Sequence, residues 1–306
     1  MPSISVPPGI EGIVRLTELP DDDWRDRWER IFVPAGVKER LLNYLLFDVK
    51  QRATSSTIGL AIHGLIVLAG PPGTGKTTLA GGLADEAARV LDDGPVLFVD
   101  IDPHAFPSQL LGESQRSVAR LFERTIPDLA LRGRPVVVLI DEVESLAVNR
   151  TGASLETNPV DVHRATAAVL AGVDAVARDH RNVVFIATTN FRSGVDTAFL
   201  SRADLIEEIG LPGVAAVVSI LNDSLTELGV DDDTRGTRAG LSSLAAACTD
   251  VGLDARQIRK LVVAAACARR DLVLDPSRLT LDDIAAELDR IRAGSTTVEA
   301  PTRLRA

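Results

Sequence analysis

Gly70-Pro71-Pro72-Gly73-Thr74-Gly75-Lys76-Thr77-Thr78 decides the fold. The run fits G-x-x-x-x-G-K-[ST], in which a loop dense in Gly and Pro turns successive backbone N–H groups inward on a polyanion. Lys76 is long enough to reach the β- and γ-phosphates of ATP, and the Thr77 hydroxyl stands where Mg²⁺ needs a ligand. The flanks agree with a phosphate-binding loop. Leu65-Ile66-Val67-Leu68-Ala69 reads as a strand buried on both faces, and Thr77-Thr78-Leu79-Ala80-Gly81-Gly82-Leu83-Ala84 as a helix whose N-terminus faces the phosphates.

Outward from this loop, strands and helices alternate. Strands are expected at 64–69, 96–100, 135–140, 183–188 and near 205–210, with helices at 76–91, 114–132 and 161–178. Val136-Val137-Val138-Leu139-Ile140 and Val183-Val184-Phe185-Ile186-Ala187 are apolar throughout, as in a parallel sheet covered on both faces. Upstream, Ile10–Leu16 is strand-like, Asp21-Asp22-Asp23 offers a helix cap, Trp24 and Trp28 are spaced to pack as a pair, and 36–52 is amphipathic. After Pro212-Gly213 the strand signal stops, and Ala-rich helical segments follow at 214–229, 239–248, 254–270 and 280–292. The expected organisation is an N-terminal extension (1–30), a large nucleotide-binding domain (31–212), a small helical lid domain (213–293) and a disordered tail (294–306). The fold class is α/β, a parallel sheet with flanking helices plus that lid.

Val136–Ile140 runs straight into Asp141-Glu142. An acid at the C-terminal end of a parallel strand, next in the sheet to the phosphate loop, is where Mg²⁺ needs an outer-shell carboxylate, and Asp141 fits that need. Glu142 is then the general base for an attacking water. The four histidines show no metal spacing and belong to no nucleophile constellation.

The order of motifs resembles the AAA+ ATPases: Gly-Pro-Pro-Gly-Thr-Gly-Lys-Thr, Leu-Ile-Asp-Glu, Ala187-Thr188-Thr189-Asn190, then Ser201-Arg202-Ala203-Asp204. More narrowly, Val138-Leu139-Ile140-Asp141-Glu142-Val143-Glu144-Ser145-Leu146 and Phe199-Leu200-Ser201-Arg202-Ala203-Asp204 are similar to the pachytene checkpoint protein 2 / thyroid receptor-interacting protein 13 family. Those proteins are hexameric remodellers of HORMA-domain proteins. The ATPase module here begins almost at once, which resembles the bacterial type found in anti-phage operons that signal with cyclic oligonucleotides. The resemblance implies a homo-hexamer that pulls a HORMA-domain protein away from the nucleotidyltransferase it activates.

It also assigns roles. Asn190 matches the sensor that positions the lytic water. Arg202 matches the arginine finger, which acts on ATP held by the neighbouring subunit. Arg256, with Arg259 as the alternative, matches a lid sensor. Leu110-Leu111-Gly112 matches the substrate-gripping pore loop, here without an aromatic. Residues 150–162 read as a second pore loop or a polar surface turn, Arg150 as a further interface candidate, and Phe32 and Val33 as neighbours of the adenine.

Composition limits the load. With 306 residues, 45% apolar and 25% charged, the chain is an ordinary globular protein, and its formal net charge of −10 argues against a broad nucleic-acid surface. A DNA-associated motor, or a motor on another protein client, is the alternative task. An ATP-gated scaffold would have no use for Glu142, Asn190 and Arg202 together. Met1-Pro2-Ser3-Ile4-Ser5-Val6-Pro7-Pro8 shows no basic start followed by an apolar core, so no signal peptide is evident, and no apolar run reaches membrane-spanning length; a cytoplasmic location without membrane contact is expected. Cys248 and Cys267 read as buried small apolar residues in Ala-rich helices.

Overall fold

The apolar runs become the interior of one sheet. Because Leu65–Ala69, Val136–Ile140 and Val183–Thr189 carry no charge, they can be buried on both faces, and every residue in all three is. The computed structural model describes residues 3–4, 12–54, 62–91, 94–103, 106, 113–147, 159–231 and 236–296. In chain order the first elements are β1 (Ser3–Ile4), β2 (Ile13–Leu19), α1 (Asp22–Glu29), α2 (Val37–Thr54), β3 (Leu65–Ala69), α3 (Lys76–Val90) and β4 (Val96–Ile101). Then come α4 (Glu113–Arg120), a π-helical turn (Leu121–Thr125), α5 (Ile126–Ala130), β5 (Val136–Ile140), α6 (Pro159–Asp179), β6 (Val183–Thr189), α7 (Thr197–Leu200) and β7 (Leu205–Glu208).

The sheet order is β1-β2-β4-β5-β6-β3-β7. The five strands from β4 to β7 run parallel, while β1 and β2 extend the edge antiparallel. Phe122, Phe185 and Phe199 lie in the core beneath it. The strand expected at Ile10–Leu16 is instead Ile13–Leu19, paired with β4 from Ile13↔Ile101 to Leu19↔Val96. Local propensity places that strand; the partner decides its register.

Two compact units divide the chain. One holds 1–31, 35–71 and 75–209; the other holds Phe32–Pro34, Pro72–Thr74 and Gly210–Ala306. The second is built from α8 (Val214–Glu227), α9 (Arg238–Val251), α10 (Ala255–Cys267), α11 (Arg270–Leu274) and α12 (Leu281–Thr296) around a core that includes Leu221, Leu244, Ile258 and Ile284. Phe32 packs against this core. Cys248 is buried here, but Cys267 is exposed, because it ends α10 on the face away from Leu261 and Ala265. Helix α12 continues to Thr296, so residues 294–296, expected in the tail, are helical: the helix set by the Ile284 and Leu288 stripe carries a further turn. No helix among the described residues is long and apolar enough to cross a membrane.

Trp24 and Trp28 do not stack on each other. Each lies over a glycine of α3: a Cβ on Gly81 would come within 2.3 Å of the Trp24 ring, and one on Gly82 within 2.9 Å of Trp28. Trp24 also meets Phe98 edge-on at 5.7 Å. Asp21 caps α1 by accepting from Asp23 N–H (2.8 Å), and Asp85 of α3 accepts from Asp21 N–H (2.6 Å). The phosphate-loop helix is thereby clamped by α1. Gly81→Ala gains about 1 kcal/mol of helix propensity but forces a methyl into an indole that cannot retreat from Phe98, at a cost of about 1–3 kcal/mol. A lower urea midpoint is expected, and an unchanged or higher one would contradict the clamp.

At the opposite end of the strands, Asp204 accepts from the N–H groups of His63 (3.0 Å), Gly64 (2.6 Å) and Leu65 (2.9 Å), pinning the start of β3. Arg52 donates to the carbonyls of Val183 and Ala177. Asp48, one turn before Arg52, is 1% exposed, and its Oδ2 has no hydrogen-bond partner among the described residues. Burial, reinforced by Asp204 and opposed by Arg52, pushes its pKa up to about 7. The unfolded carboxyl ionises near 4, so the folded state binds the extra proton between about pH 4 and 7, and stability falls as pH rises through that window. Asp48→Asn is expected to flatten this slope and to raise stability by a few kcal/mol at pH 8 but not at pH 4. Denaturant titrations at the two pH values measure the difference.

Candidate nucleotide-hydrolysis site

The site lies where three parallel strands end. β3 delivers Gly70, β5 delivers Asp141 and Glu142, and β6 delivers Asn190. β5 is not next to the phosphate loop as the sequence suggested, because β6 is inserted between it and β3. The correction matters for the chemistry: residues of β6 bridge the two sides.

Gly75 precedes α3 in the left-handed conformation (φ 87°), and a Cβ there would meet nothing within 4 Å. It brings no side-chain cap, so the first turn of α3 presents its N–H groups and its positive dipole end to the loop. Gly70 (φ 148°) passes so close to β7 that a Cβ would stand 2.0 Å from the Ile209 carbonyl oxygen. Lys76 is 6% exposed; its Nζ donates to the carbonyls of Gly70 and Pro71 (both 2.8 Å) and to Asn190 Oδ1 (2.9 Å). Asn190 Nδ2 in turn donates to Glu142 Oε1 (3.0 Å). One amide therefore joins the phosphate-loop lysine to the candidate base.

Thr77 Oγ1 donates to Asp141 Oδ1 (2.8 Å). This hydroxyl–carboxylate pair is the hard-oxygen set that suits Mg²⁺: Thr77 would bind the ion and Asp141 hold its waters. Among the described residues no group of three or more His, Cys, Asp or Glu could hold a metal ion by itself. Asp100 of β4, pushed up to about 6 chiefly by burial and also by Asp141 and Asp102, with Arg15 opposing, stands behind this pair.

Two contributors escaped the sequence reading as site residues. Thr188, 1% exposed on β6, donates to Asp141 Oδ1 and accepts from Glu142 N–H (3.0 Å). Glu144 Oε1 accepts from Asn190 N–H (3.0 Å), and its Oε2 is buried without a partner among the described residues. The Thr188 position was visible as part of Ala-Thr-Thr-Asn, but nothing local says that the hydroxyl faces β5. Glu142 itself is held in the left-handed region (φ 51°, ψ 54°), where a residue with a Cβ stores strain on the order of 1–3 kcal/mol. Thr188 is one of the contacts that hold it there.

Arg202 is not part of this cluster. It follows α7, and its guanidinium pairs with Asp174 of α6. In the second unit, Gly252 (φ 75°) closes α9, and Asp254 with Gln257 forms a capping box at the start of α10. Arg256 is exposed on that first turn, whereas Arg259 Nη2 pairs with Asp223 Oδ2 (2.7 Å). Leu110, Leu111, Gly112 and Arg150 lie outside the described residues, as does most of 150–162.

Thr188→Val keeps the shape and removes both hydrogen bonds. ATP turnover is expected to fall at least about 10-fold, with a higher Mg²⁺ requirement, while Thr188→Ser restores both; Mg²⁺ titrations of steady-state turnover test this, given a cost of about 1–3 kcal/mol for stranded polar partners.

Comparison with known proteins agrees with this geometry. Residues 66–211 match the ATPase family associated with various cellular activities (AAA). CD-NTase-associated protein 6 of Pseudomonas aeruginosa is 40% identical over 285 residues, covering 91% of each chain. The pachytene checkpoint protein 2 homolog of Danio rerio is 36% identical over 215 residues, 69% of this chain and 50% of that longer protein. A chain of the solved E. coli MS115-1 HORMA:CdnC:Trip13 complex superposes with a TM-score of 0.76 over 93% of this chain and 97% of that one; at 21% identity this likeness concerns the fold. With its phosphate loop, Asp-Glu strand end and Asn190 in one site, the chain belongs to the AAA ATPases, in the pachytene checkpoint protein 2 family and its bacterial CD-NTase-associated protein 6 type.

Proposed function

We propose that the chain hydrolyses ATP to drive remodelling of a HORMA-domain protein. It would work as a ring of six copies in the cytoplasm and so restrain a HORMA-activated cyclic-oligonucleotide synthase in anti-phage defence. Hydrolysis rests above all on one observation: Asn190 bridges Lys76 and Glu142. The client rests on kinship with the P. aeruginosa protein, whose name couples it to a CD-NTase, and whose likeness extends over 91% of both chains. In this reading residues 31–212 carry the nucleotide, 213–293 act as the lid with Arg256 as its sensor, and Leu110-Leu111-Gly112 grip the client.

The chemistry follows from the contacts. Lys76 exchanges the Gly70 and Pro71 carbonyls for phosphate oxygens of ATP, a stronger charge-assisted pairing. Mg²⁺, when bound at Thr77 and Asp141, neutralises phosphate charge. Asn190 holds the Glu142 carboxylate in place, and Glu142 accepts a proton from water as the oxygen attacks the γ-phosphorus. The bond to the β–γ bridging oxygen breaks, leaving ADP and phosphate. Arg202 of an adjacent copy offsets charge in the transition state.

Lys76→Ala is expected to abolish ATP binding, and Glu142→Gln to bind ATP yet turn over at least about 100-fold more slowly. Wild-type turnover by Glu142→Gln would remove the base assignment. Glu142→Gln loaded with ATP is also the bait for capture from the native cytosol, analysed by mass spectrometry. A HORMA-fold protein retained in an ATP-dependent way is the expected catch, and recovery of replication or repair proteins in its place would overturn the client.

A further inference from the structure

Arg202 is more tightly held than a surface arginine needs to be. Its Nε donates to Asp174 Oδ1 and its Nη2 to Asp174 Oδ2, both at 2.7 Å, and Nη1 donates to the Ala198 carbonyl (2.6 Å). The pair crosses elements: Asp174 lies near the end of the 21-residue α6, while Arg202 follows α7, itself capped by Asp196 accepting from Ala198 N–H (2.8 Å). Both side chains keep access to solvent, 23% for Arg202 and 40% for Asp174. They line a recess of about 530 Å³ with His63, Arg178 and Ser201.

Ion pairs this exposed contribute little to stability. What a bidentate pair does is fix a plane. A guanidinium carries five N–H donors in a rigid fork. Asp174 takes the side edge, Nε and Nη2, and Ala198 takes one proton of Nη1. Among the described residues two donors remain, one on each terminal nitrogen, aimed away from the carboxylate. The Arg202 hydrogen bond and charge, opposed by burial and helped by His63 and Arg178, lower the pKa of Asp174 below its ordinary value.

We infer that Asp174 is the positioning residue of Arg202: it holds the guanidinium side-on so that the remaining terminal N–H pair is preset for the terminal phosphate of ATP bound by a second copy of this chain. The inference rests on the reading of Arg202 as a finger acting in trans. Without the clamp, an arginine with four rotatable bonds beside Arg178 must be ordered during each turnover, and misplacement of a transition-state donor is costly in rate.

The test is a double-mutant cycle on the full chain, with turnover, KM for ATP and assembled mass read for each variant. Arg202→Ala is expected to lose about 10³-fold in kcat. Asp174→Asn should lose on the order of 10-fold or more in kcat while KM and assembled mass stay within about twofold of wild type. Asp174→Glu should restore most of the loss. The double variant should be no slower than Arg202→Ala alone, because Asp174 acts only through Arg202. Arg202→Lys, which leaves α6 untouched but cannot pair side-on, should resemble Asp174→Asn and serves if that variant does not fold. Wild-type or faster turnover by Asp174→Asn, or losses that multiply in the double variant, would overturn the positioning role while leaving the finger intact. Wild-type turnover by Arg202→Ala would remove the finger, and the positioning role with it.

Discussion

Asn190 holds a lysine with its carbonyl oxygen and a carboxylate with its amide nitrogen, and the rest of the site depends on that division. A cation and an anion placed near each other without an intermediary tend to collapse into a pair, which would occupy both groups. The neutral amide keeps each oriented by a donor–acceptor match, which in the proposed reaction would leave the lysine for phosphate and the glutamate for water. For this to work, Asn190 must stand between the phosphate loop and Glu142. The insertion of β6 between β3 and β5 provides that place.

The supports around the amide share its logic. Glu144 holds the Asn190 backbone, Thr188 links the Asp141 carboxylate to the Glu142 N–H, and Thr77 donates to the same carboxylate. Thr188 ends β6, Thr77 opens α3 and Glu144 sits in the turn after β5; the two threonines are short side chains that lose little rotamer freedom when the site orders. The strain at Glu142 fits the same picture. A left-handed backbone re-aims the side chain out of the line of β5, and buried neighbours on β6 enforce it.

Rigidity extends from the site to the surface. α1 grips the phosphate-loop helix through indole rings over Gly81 and Gly82, and Asp204 ties the segment after Arg202 to the first N–H groups of β3. The strand that leads into the phosphate loop is therefore tied at its start to Asp204, two residues after Arg202. In a ring, the segment that meets the neighbour's nucleotide and the strand that carries this copy's own nucleotide loop would be mechanically one piece.

The sequence alone determined the elements whose signals are local. Glycine spacing around Lys76 marks the phosphate loop, because only those residues permit the backbone angles the loop adopts. Uncharged runs mark strands buried on both faces, and the acids after Ile140 mark a strand end. Tertiary structure decided what depends on neighbours distant in the chain. Strand order is one such case: nothing in Val183–Thr189 says which strands will flank it, so Thr188 could not be recognised as the bridge. The register of Ile13–Leu19 is another, since any apolar stretch there could pair with β4 until the ladder fixes it. The clamp on Arg202 is the third, because Asp174 reaches it only when α6 packs beside α7. Local propensity is written in consecutive residues; the hydrogen bonds that orient a catalytic group are closed across the sheet.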